Sequence, residues 1–134
     1  MLAPLVALAV AAAPAQAAGT IGLWKTETKN GVVEITRCGA SVCGRLVTSD
    51  GIRANPALRD VNNSNPSLRN RQLRGLLILS GFTPDGSAWN GGKIYNADDG
   101  KTYNARLTPA GNQLKVRGCI FVPLCKTQTW TRIR

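Results

Sequence analysis

Short runs of apolar and β-branched residues recur along most of the chain, separated by clusters of Gly, Asn, Asp and Pro. Within several runs apolar and polar side chains alternate, as Val33 and Ile35 do with Glu34 and Thr36. A period of two residues is typical of β-strands that bury one face. The pattern predicts eight strands, at residues 23–29, 32–38, 42–49, 75–82, 89–95, 102–108, 113–119 and 126–133.

The residues between these runs predict tight turns. Asn30-Gly31 is the signal of a two-residue type I′ hairpin, and turn formers also occupy 84–86, 98–100 and 109–112. Gly91-Gly92 lies inside the fifth run and indicates a bulge or a bend. Hairpins between consecutive strands give a meander, which loses its unpaired edges by closing on itself. We therefore expect an all-β fold, an eight-stranded up-and-down antiparallel barrel, with a β-sandwich as the alternative.

The connection between the third and fourth strands, residues 50–74, is much longer than the others. Asn65 followed by Pro66 predicts the N-cap and first residue of a short helix through about Leu73, because proline loses no hydrogen bond at the first helical position. A loop of this length in a small domain is usually functional or locally structured. We expect it to lie over one mouth of the barrel, and a solvated surface excursion is the alternative.

The first 17 residues differ from the rest in composition. Residues 2–13 are Leu, Val and Ala with one proline, and Ala15-Gln16-Ala17 has the small-x-small form that signal peptidase accepts. No Lys or Arg precedes the apolar run, which leaves the true start codon open. The sequence predicts a signal peptide at 1–17, with a short buried helix as the alternative, and a single barrel domain at 18–134 that is periplasmic or secreted.

The chain has four cysteines and no histidine. In an exported protein paired thiols persist as disulfides. We predict Cys38–Cys43 and Cys119–Cys125, because each pair flanks a short connection whose ends approach within bridging distance. A zinc site is the rival interpretation, but the chain lacks both histidine and a C-x2-C spacing. No metal or cofactor is expected.

The same composition argues against catalysis. Without histidine there is no Ser-His or Cys-His nucleophile, and disulfide-bonded cysteines leave no thiolate. Asp98-Asp99-Gly100 is more typical of a turn than of a catalytic carboxylate pair. We expect a binding protein rather than an enzyme.

Charge narrows the choice of partner. Lys and Arg number 17 against 7 Asp and Glu, a formal net charge of +10 that favours anionic partners. Export argues against nucleic acid, and the few aromatic residues are not interleaved with the basic ones as a stacking platform requires. An anionic membrane surface or a carboxylate-bearing ligand fits the charge, and a basic surface that only keeps the protein soluble is the alternative. A monomer is expected.

Two motifs mark the ends of the predicted barrel. Gly22-x-Trp24 opens the first strand, and Trp130-Thr131-Arg132 closes the last. In a closed barrel these strands are neighbours, so the Arg132 guanidinium can stack on the Trp24 indole. The pair resembles the fingerprint of lipocalins and the wider calycin group, where it is structural. We assign Trp24, Trp130 and Arg132 no ligand role.

A second likeness covers nearly the whole mature chain. Its motifs are Gly22–Thr26, Val33–Ile35, Arg37–Gly39, Cys43–Val47, Asn65-Pro66, Leu68–Arg71, Gly91–Tyr95, Asp99–Tyr103, Leu114–Cys119 and Thr129–Arg132. In this order they resemble domain-of-unknown-function family twenty-one forty-seven, a family of small exported bacterial proteins. The resemblance implies a lipocalin-like barrel, periplasmic or secreted, with no established activity.

The predicted function is to hold one small apolar or amphipathic anionic molecule in the barrel. A helix from Asn65 would place Arg71 and Arg74 on one face, where guanidinium groups can bind a carboxylate or phosphate. The residues assigned to the ligand are Leu68, Arg69, Arg71, Leu73, Arg74, Tyr95 and Tyr103.

Two alternatives remain open. The arginines can be ordinary surface charges. The protein can also be an envelope-associated interaction protein with a filled core and a basic surface for anionic partners. Small residues at predicted inward positions, Gly92, Ala105 and Gly118, favour a cavity. The sequence does not identify the ligand.

Overall fold

A computed structural model describes residues 3–4 and 19–134. One antiparallel sheet contains the strands β1 (Gly22–Lys25), β2 (Val32–Cys38), β3 (Ser41–Thr48), β4 (Leu77–Ser80), β5 (Thr83–Asp85), β6 (Ala88–Asn96), β7 (Lys101–Ala110), β8 (Gln113–Phe121) and β9 (Leu124–Arg132). A helix α1 (Asp50–Ala54) and a 3-10 turn, Pro66–Leu68, follow β3. Among the described residues no helix is long and apolar enough to cross a membrane.

The sheet closes on itself. Its strands follow the order β4-β3-β2-β1-β9-β8-β7-β6-β5, and β4 also pairs with β6. Because β4 and β5 pair with successive stretches of β6, they act as two parts of one interrupted strand of the barrel. The wall therefore consists of eight antiparallel strands in chain order, and the predicted up-and-down barrel is confirmed. The predicted signal peptide lies outside the described residues apart from Ala3 and Pro4, and it stays a prediction.

The predicted fourth strand, 75–82, is interrupted. Its regular part ends at Ser80, because Gly81 has a φ of 78° and turns the chain inward at Phe82. The Phe82 ring occupies the space that a Cβ on Gly92 would need, at 2.3 Å. The register of β6 against β7 shifts between Trp89 and Gly92. The bulge predicted from Gly91-Gly92 is thus present, and it makes room for Phe82.

The first hairpin turns one residue earlier than predicted. The residues with left-handed φ are Lys29 (59°) and Asn30 (47°), not Asn30 and Gly31. The Gly31 amide donates to the Thr28 carbonyl, which closes the turn. Gly31 is needed for close packing instead, since a Cβ there would lie 2.5 Å from the Thr26 hydroxyl oxygen. Strand β1 accordingly ends at Lys25, short of the predicted Lys29.

Large apolar side chains fill one end of the barrel, which we call the closed end. All three tryptophans of the chain are buried there or beside it. Burying side chains of this size contributes about 1.5–3 kcal/mol each, so this core is the main source of stability. The cluster contains Trp24, Val33, Ile35, Val42, Leu79, Phe82, Trp89, Ala105, Leu107, Leu114, Val116 and Trp130.

The predicted stack joins the first and last strands. Trp24 and Arg132 are register partners across β1 and β9, and the guanidinium lies 4.3 Å from the centroid of the fully buried indole. The same guanidinium donates to the carbonyls of Ile21 at 2.9 Å and Gly19 at 2.7 Å. The Trp24 indole N–H donates to the Thr20 carbonyl at 2.8 Å. The pair thereby binds the chain that precedes β1 to the end of β9.

Gly22 makes this arrangement possible. Its φ is +145°, and a Cβ there would lie 2.6 Å from Nη1 of Arg132. The first residue of the Gly-x-Trp motif must therefore lack a side chain for the guanidinium to reach its acceptors.

Both predicted disulfides are present. Cys38–Cys43 spans the β2–β3 turn, with 5.8 Å between the Cα atoms, and Cys119–Cys125 spans the β8–β9 turn, with 4.1 Å. The cross-links enclose short loops, so in the chain-entropy model each contributes only about 2 kcal/mol. They fix the local shape of two hairpins more than the fold.

We expect Arg132→Leu to lower the free energy of unfolding by roughly 2–4 kcal/mol, because it removes two charge-assisted hydrogen bonds and a cation–π contact. Arg134→Leu is the matched control, since that side chain is exposed two residues further on. Urea unfolding followed by tryptophan fluorescence measures both. Equal midpoints for the two variants would contradict the role given to the stack.

Candidate functional site

The end of the barrel opposite the closed end contains a cavity of about 860 Å³ that opens to solvent. Trp130 lies between the closed end and this space, because it belongs to the core cluster and also lines the cavity. Apolar side chains form most of the inner wall, among them Val33, Leu46, Ile78, Ile94 and Val116. The interior is therefore not filled by side chains at this end.

Four connections surround the mouth. Consecutive hairpins of an up-and-down barrel alternate between its ends, so every second connection meets here. The β1–β2 turn contributes Lys29, the β6–β7 turn Asp98, and the β8–β9 turn Leu124. The long β3–β4 segment contributes Gly51, Leu58 and Leu73. The structure thus places this segment beside one mouth, as the sequence predicted.

Two neighbouring strands form the most regular part of the lining. On β8, Gly118 and Ile120 line the cavity, and on β9 Lys126, Gln128 and Trp130 do so. Gly118 is the register partner of Lys126, so a position without a side chain lies beside a cation on the neighbouring strand. A Cβ added at Gly118 would make only ordinary contacts at 3.6 Å or more. Gly118 can therefore accept a side chain without a close contact at Cβ and without backbone strain.

The charged groups at the mouth are not equivalent. Lys29 and Asp98 form an exposed ion pair at 2.8 Å, and Asp99 accepts hydrogen bonds from the Tyr103 hydroxyl and the Lys101 amide. No carboxylate of the described residues pairs with Lys126. Among the cations that line the cavity, Lys126 is therefore the one left for an anionic group.

A buried carboxylate holds the long segment to the barrel. Asp60 Oδ2 accepts hydrogen bonds from Arg71 Nε and Asn63 Nδ2, both at 2.9 Å, and Oδ1 accepts one from the Tyr95 hydroxyl of β6. The Arg71 guanidinium also lies 5.1 Å from the Tyr95 ring centroid. The segment is thereby anchored to the wall by four side chains from three places in the sequence.

The same contacts change two pKa values. Burial raises the pKa of Asp60, but the hydrogen bonds from Asn63, Tyr95 and Arg71 and the charge of Arg71 outweigh it, so the pKa lies below its ordinary value. The pKa of Tyr95 is raised to about 12, first by burial and then by the hydrogen bond to Asp60 and its negative charge. The pair is therefore stable as a carboxylate with a neutral phenol.

A second contact fixes the segment against the β6–β7 turn. Gly100, with a φ of 72°, would place a Cβ only 1.7 Å from the carbonyl oxygen of Asn62. The Ser64 amide donates to the Gly100 carbonyl at 3.2 Å. Gly100 therefore serves two purposes, since it completes the turn and leaves space for the crossing chain.

The predicted helix in this segment is much shorter than expected. Asn65 does cap it, accepting a hydrogen bond from the Ser67 amide, and Pro66 is its first residue, but it ends at Leu68. Beyond it the chain turns back, and Arg59 pairs with Gln72 in an antiparallel bridge. The prediction that the helix runs to Leu73 is wrong, because the Asp60 contacts favour this return. Arg71 and Arg74 consequently share no helix face.

The seven predicted ligand residues fall into two groups. Leu73, Tyr95 and Tyr103 line the cavity. Arg69, Arg71, Arg74 and Leu68 are not part of its lining. Arg69 donates to the Asn63 carbonyl at 2.8 Å, and Arg71 pairs with Asp60, so both stabilise the segment. Replacing Arg71 would therefore cost stability, because it would leave the buried Asp60 carboxylate without its cation.

Lys126, Gln128 and Leu58 line the cavity but were not predicted as ligand residues from the sequence. A signal for the first two was present, because Trp130 and every second residue before it belong to one face of the last strand. Gly92 and Ala105, expected to leave space, do not line the cavity, since Phe82 fills the space beside Gly92.

These features define a lipocalin-like barrel, closed at one end and open to an apolar cavity at the other. A family model described as an uncharacterized protein conserved in bacteria (DUF2147) matches residues 22–132, and the chain belongs to this family. It is similar to the solved structure of protein HP1028 from the human pathogen Helicobacter pylori, which belongs to the lipocalin family. The identity is 30% and the TM-score 0.76, over 85% of this chain and 82% of that one. No curated protein matches the chain.

Asp60→Asn tests the anchor through pH. Because the folded pKa of Asp60 is lowered, its contribution to stability is present above the ordinary value of 3.8 and is lost as pH falls through the folded pKa. We expect the variant to melt below the wild type at pH 7 and the gap to close below about pH 4. A gap that is constant with pH would contradict the anchor.

The tyrosine gives a second readout in the same variant. In a Tyr103→Phe background Tyr95 is the one remaining tyrosine, and we expect it to ionise near pH 12 by ultraviolet absorbance. Asp60→Asn should move that midpoint towards 10, the ordinary value for tyrosine. Asp98→Asn, in an exposed ion pair on the neighbouring turn, is the control and should leave it unchanged.

Proposed function

We propose that the protein binds one small apolar or amphipathic molecule, with the apolar part inside the barrel and any anionic group at Lys126. The observation that carries the proposal is the cavity of about 860 Å³ above Trp130. This volume falls within the range of about 300–1,000 Å³ that small-molecule sites occupy. The lipocalin-like fold and the family are consistent with it, and neither names a ligand.

The chemistry of the lining supports an apolar tail. Aliphatic side chains from β2, β3, β4, β6 and β8 surround the space, joined by Leu58 and Leu73 of the long segment. Water in such a space finds few hydrogen-bond partners, so displacing it with hydrocarbon is favourable. Specificity for a headgroup then depends on the polar side chains of the lining, which include Lys29, Asp98 and Lys126.

The charge at the mouth supports an anionic headgroup. Asp98 and Asp99 are engaged by Lys29, Tyr103 and the Lys101 amide, so their charge is partly compensated. Lys126 lines the cavity and faces Gly118. A partly exposed ion pair of this kind contributes about 0.2–1 kcal/mol, so Lys126 selects among ligands more than it determines affinity.

We propose a binding role without catalysis, in the periplasm or outside the cell. Two disulfides are consistent with an oxidising compartment. The chain has no histidine to act as a general base near neutral pH.

The proposal is tested by filling the cavity. Gly118→Leu places a side chain in the lumen without backbone strain, whereas Thr127→Leu adds the same side chain at an exposed position of β9 that does not line the cavity. We expect Gly118→Leu to weaken binding of a fluorescent fatty acid more than tenfold, about 1.4 kcal/mol, and Thr127→Leu to have no effect. Trp130 fluorescence should change when the ligand is added to the wild type or to the control Thr127→Leu. The change should be much weaker in Gly118→Leu at the same ligand concentration.

The headgroup is tested by pairing a fatty acid with the alcohol of the same chain length. Lys126→Gln should weaken binding of the acid about two- to fivefold and leave the alcohol unchanged, as expected for one surface ion pair. Equal effects on both ligands would remove Lys126 from the site. No binding of either by the wild type, or equal binding by Gly118→Leu, would contradict the lumen as the site.

A further inference from the structure

The β8–β9 hairpin ends in a group of exposed apolar side chains, which we call the apolar tip. Its members are Ile120, Phe121, Val122 and Leu124, with 64%, 60%, 71% and 55% of their surface exposed. Single exposed apolar residues are ordinary, but contiguous ones mark interaction sites. Four large apolar residues within five consecutive positions are therefore a surface that the barrel does not need for its own stability.

The apolar tip is held in an extended position. Phe121 and Leu124 are register partners, and Cys119 and Cys125 behind them are joined by a disulfide. The strand pairing of β8 with β9 continues to this point. The end of the hairpin is thus held extended, and its four apolar side chains remain largely exposed and available to a partner.

The charged residues around the apolar tip indicate what kind of partner it binds. Residues 118–125 carry no charge and are bounded directly by Arg117 and Lys126. The last 35 residues, 100–134, contain no Asp or Glu, so β7, β8 and β9 form the most basic part of the wall. Arg132 stacks on Trp24 and Arg106 pairs with Asp85. The cations that remain are Lys101, Lys115, Arg117, Lys126 and Arg134.

The tip is also continuous with the cavity. Ile120 and Leu124 are largely exposed and yet line the cavity, together with Pro123 and Lys126. A surface that receives the apolar tip therefore lies directly against the mouth of the barrel. This position would let an amphipathic molecule pass between that surface and the lumen with little exposure of its tail to water.

We propose that the apolar tip docks the protein onto a lipid surface that carries anionic headgroups. The tip enters the interfacial region, and the flanking cations contact lipid phosphates. Apolar burial combined with attraction between basic side chains and anionic lipids is how peripheral proteins bind membranes. Docking itself does not depend on the ligand proposed above, because the tip and its charges are present without one.

Vesicle co-sedimentation tests this inference without any lumen ligand. We expect the wild type to sediment with vesicles of phosphatidylcholine and phosphatidylglycerol, much less with phosphatidylcholine alone, and less at high salt. Phe121→Ser with Val122→Ser, two positions outside the cavity lining, should reduce the affinity for the anionic vesicles more than tenfold. Both side chains are largely exposed, so the melting temperature should stay the same.

The matched control changes two exposed apolar residues elsewhere. Val61→Ser with Ile133→Ser alters side chains that are 63% and 50% exposed and lie outside the tip, and it should sediment like the wild type. If the tip variant bound anionic vesicles as well as the wild type does, the proposal would be overturned, and vesicle binding would depend on charge alone. Absence of vesicle binding by the wild type, with a concentration-dependent dimer that the tip variant abolishes, would make the tip a contact between copies instead.

Discussion

The contact between Arg132 and Trp24 is the constraint on which the rest of the molecule depends. One guanidinium covers a buried indole and binds the carbonyls of Gly19 and Ile21, so the beginning of β1 and the end of β9 are held together. Without that closure, two sheet edges would be exposed to solvent. With it, one end of the barrel is sealed, and an apolar cavity can persist at the other end above Trp130.

The strands and their closure could be predicted because they depend on local signals. Alternation of apolar and polar residues and the turn residues between them determine where strands begin and end. The long segment could not be predicted in this way. Its path depends on Asp60 meeting Tyr95, 35 residues away, and on Gly100 leaving space for Asn62. The pattern of apolar and polar residues within 50–74 does not indicate such contacts. The prediction of a helix that runs to Leu73 was wrong for that reason.

Side-chain type also did not decide which residues form the site. Gly92 and Gly118 both lie on inward-facing parts of the wall, but Phe82 fills the space beside the first, and the space above the second is open. Arg71 and Lys126 are both cations near the mouth, but Arg71 is paired with a buried carboxylate. In each pair the difference comes from a neighbour ten or eleven residues away in the chain, Phe82 in the first case and Asp60 in the second. The formal charge of +10 therefore overstates the number of cations available to a ligand.

The open cavity and the exposed tip follow from the same restraint. A buried Leu, Ile, Val or Phe side chain contributes about 1.5–3 kcal/mol, so folding the hairpin end inward would be favourable if the backbone permitted it. The pairing of Phe121 with Leu124 and the disulfide behind them oppose that movement. The hairpin thus keeps Phe121 and Val122 outside the lumen, whereas Ile120 and Leu124 line the cavity and are still largely exposed. A cross-link that adds only about 2 kcal/mol to the fold then has its main effect on the surface that the mouth presents.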